Sequence, residues 1–252
     1  MVFSLIHPSR QRLDRAEAAI HEWRGNASGH HPIEYFLSVD EDDADLEGYR
    51  DLATRLQVRL VVGSNRSLVD AVNRAAALTR GDVLIVVSDD FGCPRHWDDA
   101  LAGIAGTRRD MAIQVHDGNG ATRLTLPIVG CALYKRLGYI YYPGYFSMFA
   151  DDDLTGVARS LGALVDAHHL QFPHRHYLFG LAEADATYAR QNALDKWWAG
   201  WRLHETRVAT EFGQASLTPA LAWRLLGINA YYWMRMARAR VRLWWIRLGL
   251  PV

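Results

Sequence analysis

The sequence predicts an α/β protein with a mostly parallel central sheet flanked by helices and an amphipathic helical extension at the C-terminal end. Three observations carry this reading. Within about 90 residues, four apolar runs (FSLI, IEYFLSV, VRLVVG and DVLIVVS) alternate with segments whose apolar residues recur at helical spacing. Each run leads into polar or charged residues, as strands of an open parallel sheet do where they emerge from the core. From Leu217 onward the composition changes to arginine, tryptophan and aliphatic residues with no acid.

In chain order, Phe3 to Ile6 form the first strand, and Leu13, Ala16, Ile20 and Trp23 mark one face of the helix after it. NASGHHP is a turn, IEYFLSVDEDD a second strand ending in acids, Leu46 to Leu56 a short helix and VRLVVG a third strand. SNRSLVDAVNRAAALTRG reads as a helix with Ser or Asn near its start and Gly81 past its end. The fourth strand, DVLIVVSDD, runs up to the acidic doublet Asp89–Asp90. Beyond Met111, MAIQVHDG is a further strand and TLPIVGCALYKRLG a passage from strand to helix. YIYYPGYFSMFADDDLTGVARSLG is an aromatic loop entering a helix, and ALVDAHHLQFPHRHY a strand with a histidine-rich exit. Residues from about 182 to 211 read as helical. The chain divides into a body, 1–212, with halves 1–110 and 111–212, and a tail, 213–252.

The 252 residues are half apolar and 22% charged, a globular composition long enough for a sizeable core. A formal net charge of zero gives no global reason to bind nucleic acid. Two cysteines, Cys93 and Cys131, supply neither a disulfide framework nor Cys/His metal spacing, which points to a reducing compartment. The N-terminal apolar run is too short for a secretory leader and meets Pro8 and Arg10 at once. Together these lead to the expectation of a cytoplasmic protein.

Ligands of open parallel sheets bind outside the carboxyl ends of the strands. His7–Arg10, Asp40–Glu41, Gly63–Arg66 and Asp89–Asp90 should therefore share one rim. Adjacent carboxylates repel unless a cation satisfies them, and a hard dication that also holds a diphosphate does so. The plainer reading of the doublet is a solvated acidic turn. Asp151, Asp152 and Asp153 at a helix start likewise either interact with the helix dipole or act chemically. His168, His169, His174 and His176 form a third cluster, which on its own reads as surface or core histidine.

The segment GSNRSLVDAVNRAAALTRGDVLIVVSDDFGCPRHWDDAL resembles the nucleotide-sugar half of family-2 glycosyltransferases of the GT-A fold. FSLIHPSRQRL resembles that family's opening P-[ST]-x-x-R stretch, SVDEDD its second strand end, and SMFADDDL its E-D-x-D-L-like motif with Ala150 in place of Glu. The resemblance covers about residues 1–180. It implies a GT-A-like sheet, with 1–110 binding the nucleotide sugar and 111–212 the acceptor. It also implies an inverting, metal-dependent transfer from a nucleoside-diphosphate sugar, a UDP-sugar by family default, with Mn²⁺ or Mg²⁺.

By the same resemblance Pro8, Ser9, Arg10, Asp40, Asn65, Arg66 and Asp89 contact the donor, and Asp89, Asp90 and His174 or His176 meet the metal. Asp151 or Asp152 is the base, and Asp153 the second acid of that motif. The acidic motif is Ser88–Asp89–Asp90 and not a full D-x-D, so either carboxylate remains open as the metal ligand. Two other classes compete: a nucleotidyltransferase, which HPSRQRL disfavours because it lacks a glycine-rich loop, and a domain that binds nucleotide without turnover.

Past Glu211 the tail holds Arg224, Arg235, Arg238, Arg240, Arg242 and Arg247 among Trp223, Trp233, Trp244 and Trp245. No uncharged run is long enough to span a bilayer. A helix lying on a membrane surface, on the inner face of the membrane, and a helix packed on the body or across a homodimer are the two readings; nucleic acid is the weakest partner.

Overall fold

The computed structural model describes residues 1–64, 66–120, 122–175 and 193–247, without the side chains of 239–247. Seven strands form one sheet: β1 (Phe3–Pro8), β2 (Ile33–Asp40), β3 (Arg59–Gly63), β4 (Val83–Val86), β5 (Ala112–His116), β6 (Ile128–Gly130) and β7 (Leu164–Gln171). Their order is β3-β2-β1-β4-β6-β5-β7. All neighbours are parallel except β6, which runs against both β4 and β5. The helices are α1 (Leu13–Gly25), α2 (Leu46–Leu56), α3 (Leu68–Ala76), α4 (Trp97–Ala105), α5 (Cys131–Leu137), α6 (Ala150–Ser160), α7 (Leu194–Ala209) and α8 (Pro219–Arg247).

Strand periodicity sorts the core into two layers. Phe3, Leu5, Leu37, Val83 and Ile85 point to one face, where Trp23, Tyr49, Trp97 and Phe172 cover them. Ile6, Phe36, Leu84 and Val86 point to the other, against Val69 and Val72 of α3, Leu133 of α5 and Leu154 of α6. Two faces buried at once explain why these strands read as continuous apolar runs.

Three expected boundaries shift. The fourth strand stops at Val86, where its ladder with β1 ends, so Asp89 and Asp90 sit on the turn beyond it. The helix expected to reach Gly81 closes at Ala76; its N-cap is Ser67, which accepts the Asp70 amide. Of the helix expected over 182–211, the part from Leu194 to Ala209 is present, and 182–192 lie outside the described residues.

At the end of β6, a side chain on Gly130 would run into the backbone carbonyl of Arg109, a group that cannot rotate away. Glycine is required there by space alone. Asn73 of α3 fastens the irregular segment after α5: its Oδ1 accepts the Ile140 and Tyr141 amides at 3.0 and 3.1 Å, and its Nδ2 donates to the Tyr141 carbonyl at 2.6 Å.

Helix α8 lies on α7. The Trp201 ring is 5.2 Å from Tyr231, the Arg202 guanidinium 4.4 Å above Tyr232, and the Arg235 guanidinium 4.8 Å above Trp198. Among the described residues no helix is long and apolar enough to cross a membrane.

Candidate active site

A cavity of about 820 Å³ opens beyond the carboxyl ends of β1, β2 and β4. Its far walls are the loop after β5, the aromatic segment before α6, and the first turns of α6 and α7. Pro8, Ser9, Arg10, Asp40, Arg66, Asp89, Asp90, Asp151, Asp152 and His174 all line it. The fold thus brings together on one cavity every described residue that the sequence singles out for the donor, the metal and the base. Asn65 and His176 lie outside the described residues. His168 and His169 do not join the site: they sit exposed on β7, with His168 paired to Asp166 at 2.5 Å.

On the donor side, Arg10 bridges the buried Asp40 at the end of β2 and the exposed Asp42, at 2.6 Å from the latter. These carboxylates hold the guanidinium well above its ordinary range. Arg66 is paired with Asp70, one turn into α3, at 2.7 Å, and so stands over the cavity from the helix N-terminal end.

The two acids of the doublet part company. Asp89 is only 3% exposed; its Oδ1 accepts from His7 Nε2 at 2.7 Å and from Ser9 Oγ at 3.4 Å, and its Oδ2 faces Arg12 at 3.7 Å. His7 is fixed in turn by the Tyr35 hydroxyl at 2.8 Å. Asp89 therefore ties β1 to the turn after β4 through His7, Ser9 and Arg12, while still lining the cavity.

Asp90 accepts from Ser88 Oγ at 2.5 Å, and its Oδ2 lies 3.3 Å from His174 Nε2. The His174 ring stacks on Phe91 with centroids 4.1 Å apart, and the His174 amide donates to the Asp117 carbonyl, which sets the imidazole beside the carboxylate.

No group of three or more His, Cys, Asp or Glu is poised for a metal among the described residues. Asp90 offers the carboxylate oxygen that Mn²⁺ or Mg²⁺ prefers, with the His174 imidazole beside it. Such ions take one or two protein ligands and complete their shell with phosphate oxygens and water. Adjacent ligands of an octahedral ion stand about 3 Å apart, close to the Asp90–His174 spacing.

On the opposite wall, Phe149 turns the chain into α6 with φ 70 and places Asp151 and Asp152 in the first helical turn. Asp151 Oδ2 accepts from Arg123 Nε at 2.8 Å, and its Oδ1 accepts the Asp152 amide at 3.0 Å. Burial and the neighbouring Asp152 charge push the Asp151 carboxyl up to about 6, against the lowering pull of Arg123.

Asp153 turns away from the cavity and is fully buried. Arg207 of α7 reaches it at 2.5 and 3.1 Å, and the Tyr145 hydroxyl donates at 3.1 Å. Asp153, the second acid of the motif resemblance, thus joins α6 to α7.

Several lining residues carry no sequence signal of their own. Asp117, which accepts the Asn119 amide and the Thr125 hydroxyl, follows β5 and was open to the strand-end rule. Arg123, Lys196 and Trp197 reach the cavity only through the fold.

No family model matches the chain, and no curated protein matches it. Solved structures do. Residues 1–349 of S. aureus TarS in complex with UDP-GlcNAc align with a TM-score of 0.61 at 16% identity, covering 91% of this chain and 72% of that one. The glucosyl-3-phosphoglycerate synthase of Mycobacterium tuberculosis, in complex with Mn²⁺, UDP-glucose and phosphoglyceric acid, aligns at 0.56 and 14% identity, covering 84% and 80%. The mannosyltransferase PcManGT of Pyrobaculum calidifontis, with GDP-Man and Mn²⁺, aligns at 0.53 and 14% identity, covering 92% and 69%. Seven strands in one mostly parallel sheet, one of them reversed, and a cavity at the strand ends accord with those alignments: the chain has a GT-A-like α/β fold.

Proposed function

We propose that this protein moves a sugar from a nucleoside-diphosphate donor to an acceptor hydroxyl, with inversion and with Mn²⁺ or Mg²⁺. The observation that carries the reading is one cavity with the Asp90–His174 pair on one wall and the Asp151–Asp152 pair on the other. An inverting displacement needs those two things apart: a cationic centre where the diphosphate departs and a base where the hydroxyl attacks. Structural relatives whose complexes hold UDP-GlcNAc, UDP-glucose or GDP-Man support the donor class.

In this reading Asp90 and His174 hold the metal, which when bound neutralises charge on the leaving diphosphate. Arg10, Asp40 and Arg66 orient the nucleoside from the strand ends and the start of α3. Asp151 takes the acceptor proton. A carboxyl raised to about 6 is a stronger base than an ordinary one yet still ionised at neutral pH. Arg123 fixes its oxygen, and Asp152 sets its environment through charge.

Calorimetry with UDP and GDP, with and without Mn²⁺, tests the donor side, and turnover of matching nucleotide sugars tests the rest. Asp90→Ala should abolish metal-dependent binding. Asp151→Ala should keep it while turnover falls roughly 10²–10⁴-fold. Turnover that survives Asp151→Ala and dies in Asp152→Ala moves the base by one residue. Metal-independent binding without turnover in the wild type sinks the transferase reading.

A further inference from the structure

Helix α8 has two unlike sides. Its inner side is held by α7 through Tyr231, Tyr232 and Arg235. Its outer side carries Trp223, Leu226, Trp233 and Met234, which are 75, 60, 57 and 41% exposed, with the exposed Ala230 and Ala237 between and beyond them. Steps of three, four, three and four residues put these on one stripe of the helix. Arg224 and Arg238 are exposed on its flank.

The charge of the chain is split the same way. Six of its 28 basic residues and none of its 28 acidic ones lie beyond Glu211. That segment therefore carries +6 and residues 1–211 carry 22 − 28, or −6.

We propose that the outer face of α8 docks on an anionic lipid bilayer, with the helix lying in the interfacial plane. An apolar stripe with tryptophans, bordered by arginines, matches the two layers it would meet: acyl chains under the stripe and phosphate beside it. The −6 body is repelled by the same surface, so charge alone orients the molecule with α8 downward.

A second copy fits less well. An antiparallel two-fold contact through this face would set the arginine flank against its own like charge. Nucleic acid would engage the arginines and leave the apolar stripe in water. Docking would also hold the cavity close to the lipid, because Arg235 stands over Trp198, the neighbour of the cavity-lining Trp197. On the transferase reading, this favours an acceptor carried by the membrane.

Flotation of the full-length protein with vesicles of phosphatidylcholine, or of phosphatidylcholine mixed with phosphatidylglycerol, tests the proposal. The protein should float with the anionic vesicles only, and less at high salt. Trp223→Ser with Trp233→Ser should abolish flotation. Arg224→Gln with Arg238→Gln should lower partitioning on the order of 30-fold. Both pairs should leave thermal unfolding and UDP or GDP binding unchanged.

No flotation, equal flotation with neutral vesicles, or indifference to both variant pairs overturns the idea. So does a dimer in sedimentation that the tryptophan pair dissolves while vesicles stay unbound, or binding of a mixed-sequence oligonucleotide in place of vesicles. Nucleotide binding measured on the same preparations is independent: its absence counts against the transferase reading and leaves the lipid result standing.

Discussion

Half-buried beside a second carboxylate, Asp151 holds its proton up to about pH 6, whereas an unstructured aspartate releases it near 3.8. Between those values the folded chain binds a proton that the unfolded chain has lost. Folding therefore loses stability as pH rises through that window, and the loss persists above it. Asp151→Asn should accordingly melt above the wild type at pH 8 and lose that advantage at pH 4, as scanning calorimetry would show. Activity runs the other way, since a base must be ionised: its acid limb should fall near pH 6. Arg123→Gln, which removes a lowering charge, should move that limb to higher pH in a pH–rate profile. Asp90, Asp151, Asp152 and His174 were legible in the sequence because position after a strand or at a helix start is a local property. The inward turn of Asp89 was not. It depends on His7 and Arg12, about 80 residues away in the chain, and only the parallel pairing of β1 with β4 brings them together.

Between elements, the join of α6 to α7 rests on the buried Arg207–Asp153 pair, with the Arg207 guanidinium also 3.7 Å above the Tyr142 ring. Removing one partner of such a pair leaves a charge without compensation. Arg207→Met should cost roughly 3–5 kcal/mol in urea unfolding, and adding Asp153→Leu should recover most of it. Because the first turn of α6 carries Asp151, turnover should fall in the single variant even where it remains folded. Nothing local to either helix announced this clamp: Asp153 looked like its two neighbours, and Arg207 like any residue of an amphipathic helix. The order of strands and helices, by contrast, was written plainly in apolar runs and their spacing. The end of β4 was not, since strand length follows the neighbouring ladder and not the run of valines.

For the molecule as a whole, the cavity is built from both halves of the chain, so a ligand there binds only the intact fold. A nucleoside diphosphate with Mn²⁺ at a hundred times its Kd should add about 2.7 kcal/mol. For a chain of this size that is roughly 5–11 °C in Tm, as a single transition. Chelation or Asp90→Ala should erase the shift. The same architecture gives Asn73 a consequence beyond holding a loop. The start of its helix, from Arg66 to Leu68, lines the cavity, while its amide grips Ile140 and Tyr141 at the foot of the aromatic segment on the far side. One carboxamide thereby ties the helix on one bank of the cleft to the opposite wall, so that neither can shift without breaking three hydrogen bonds.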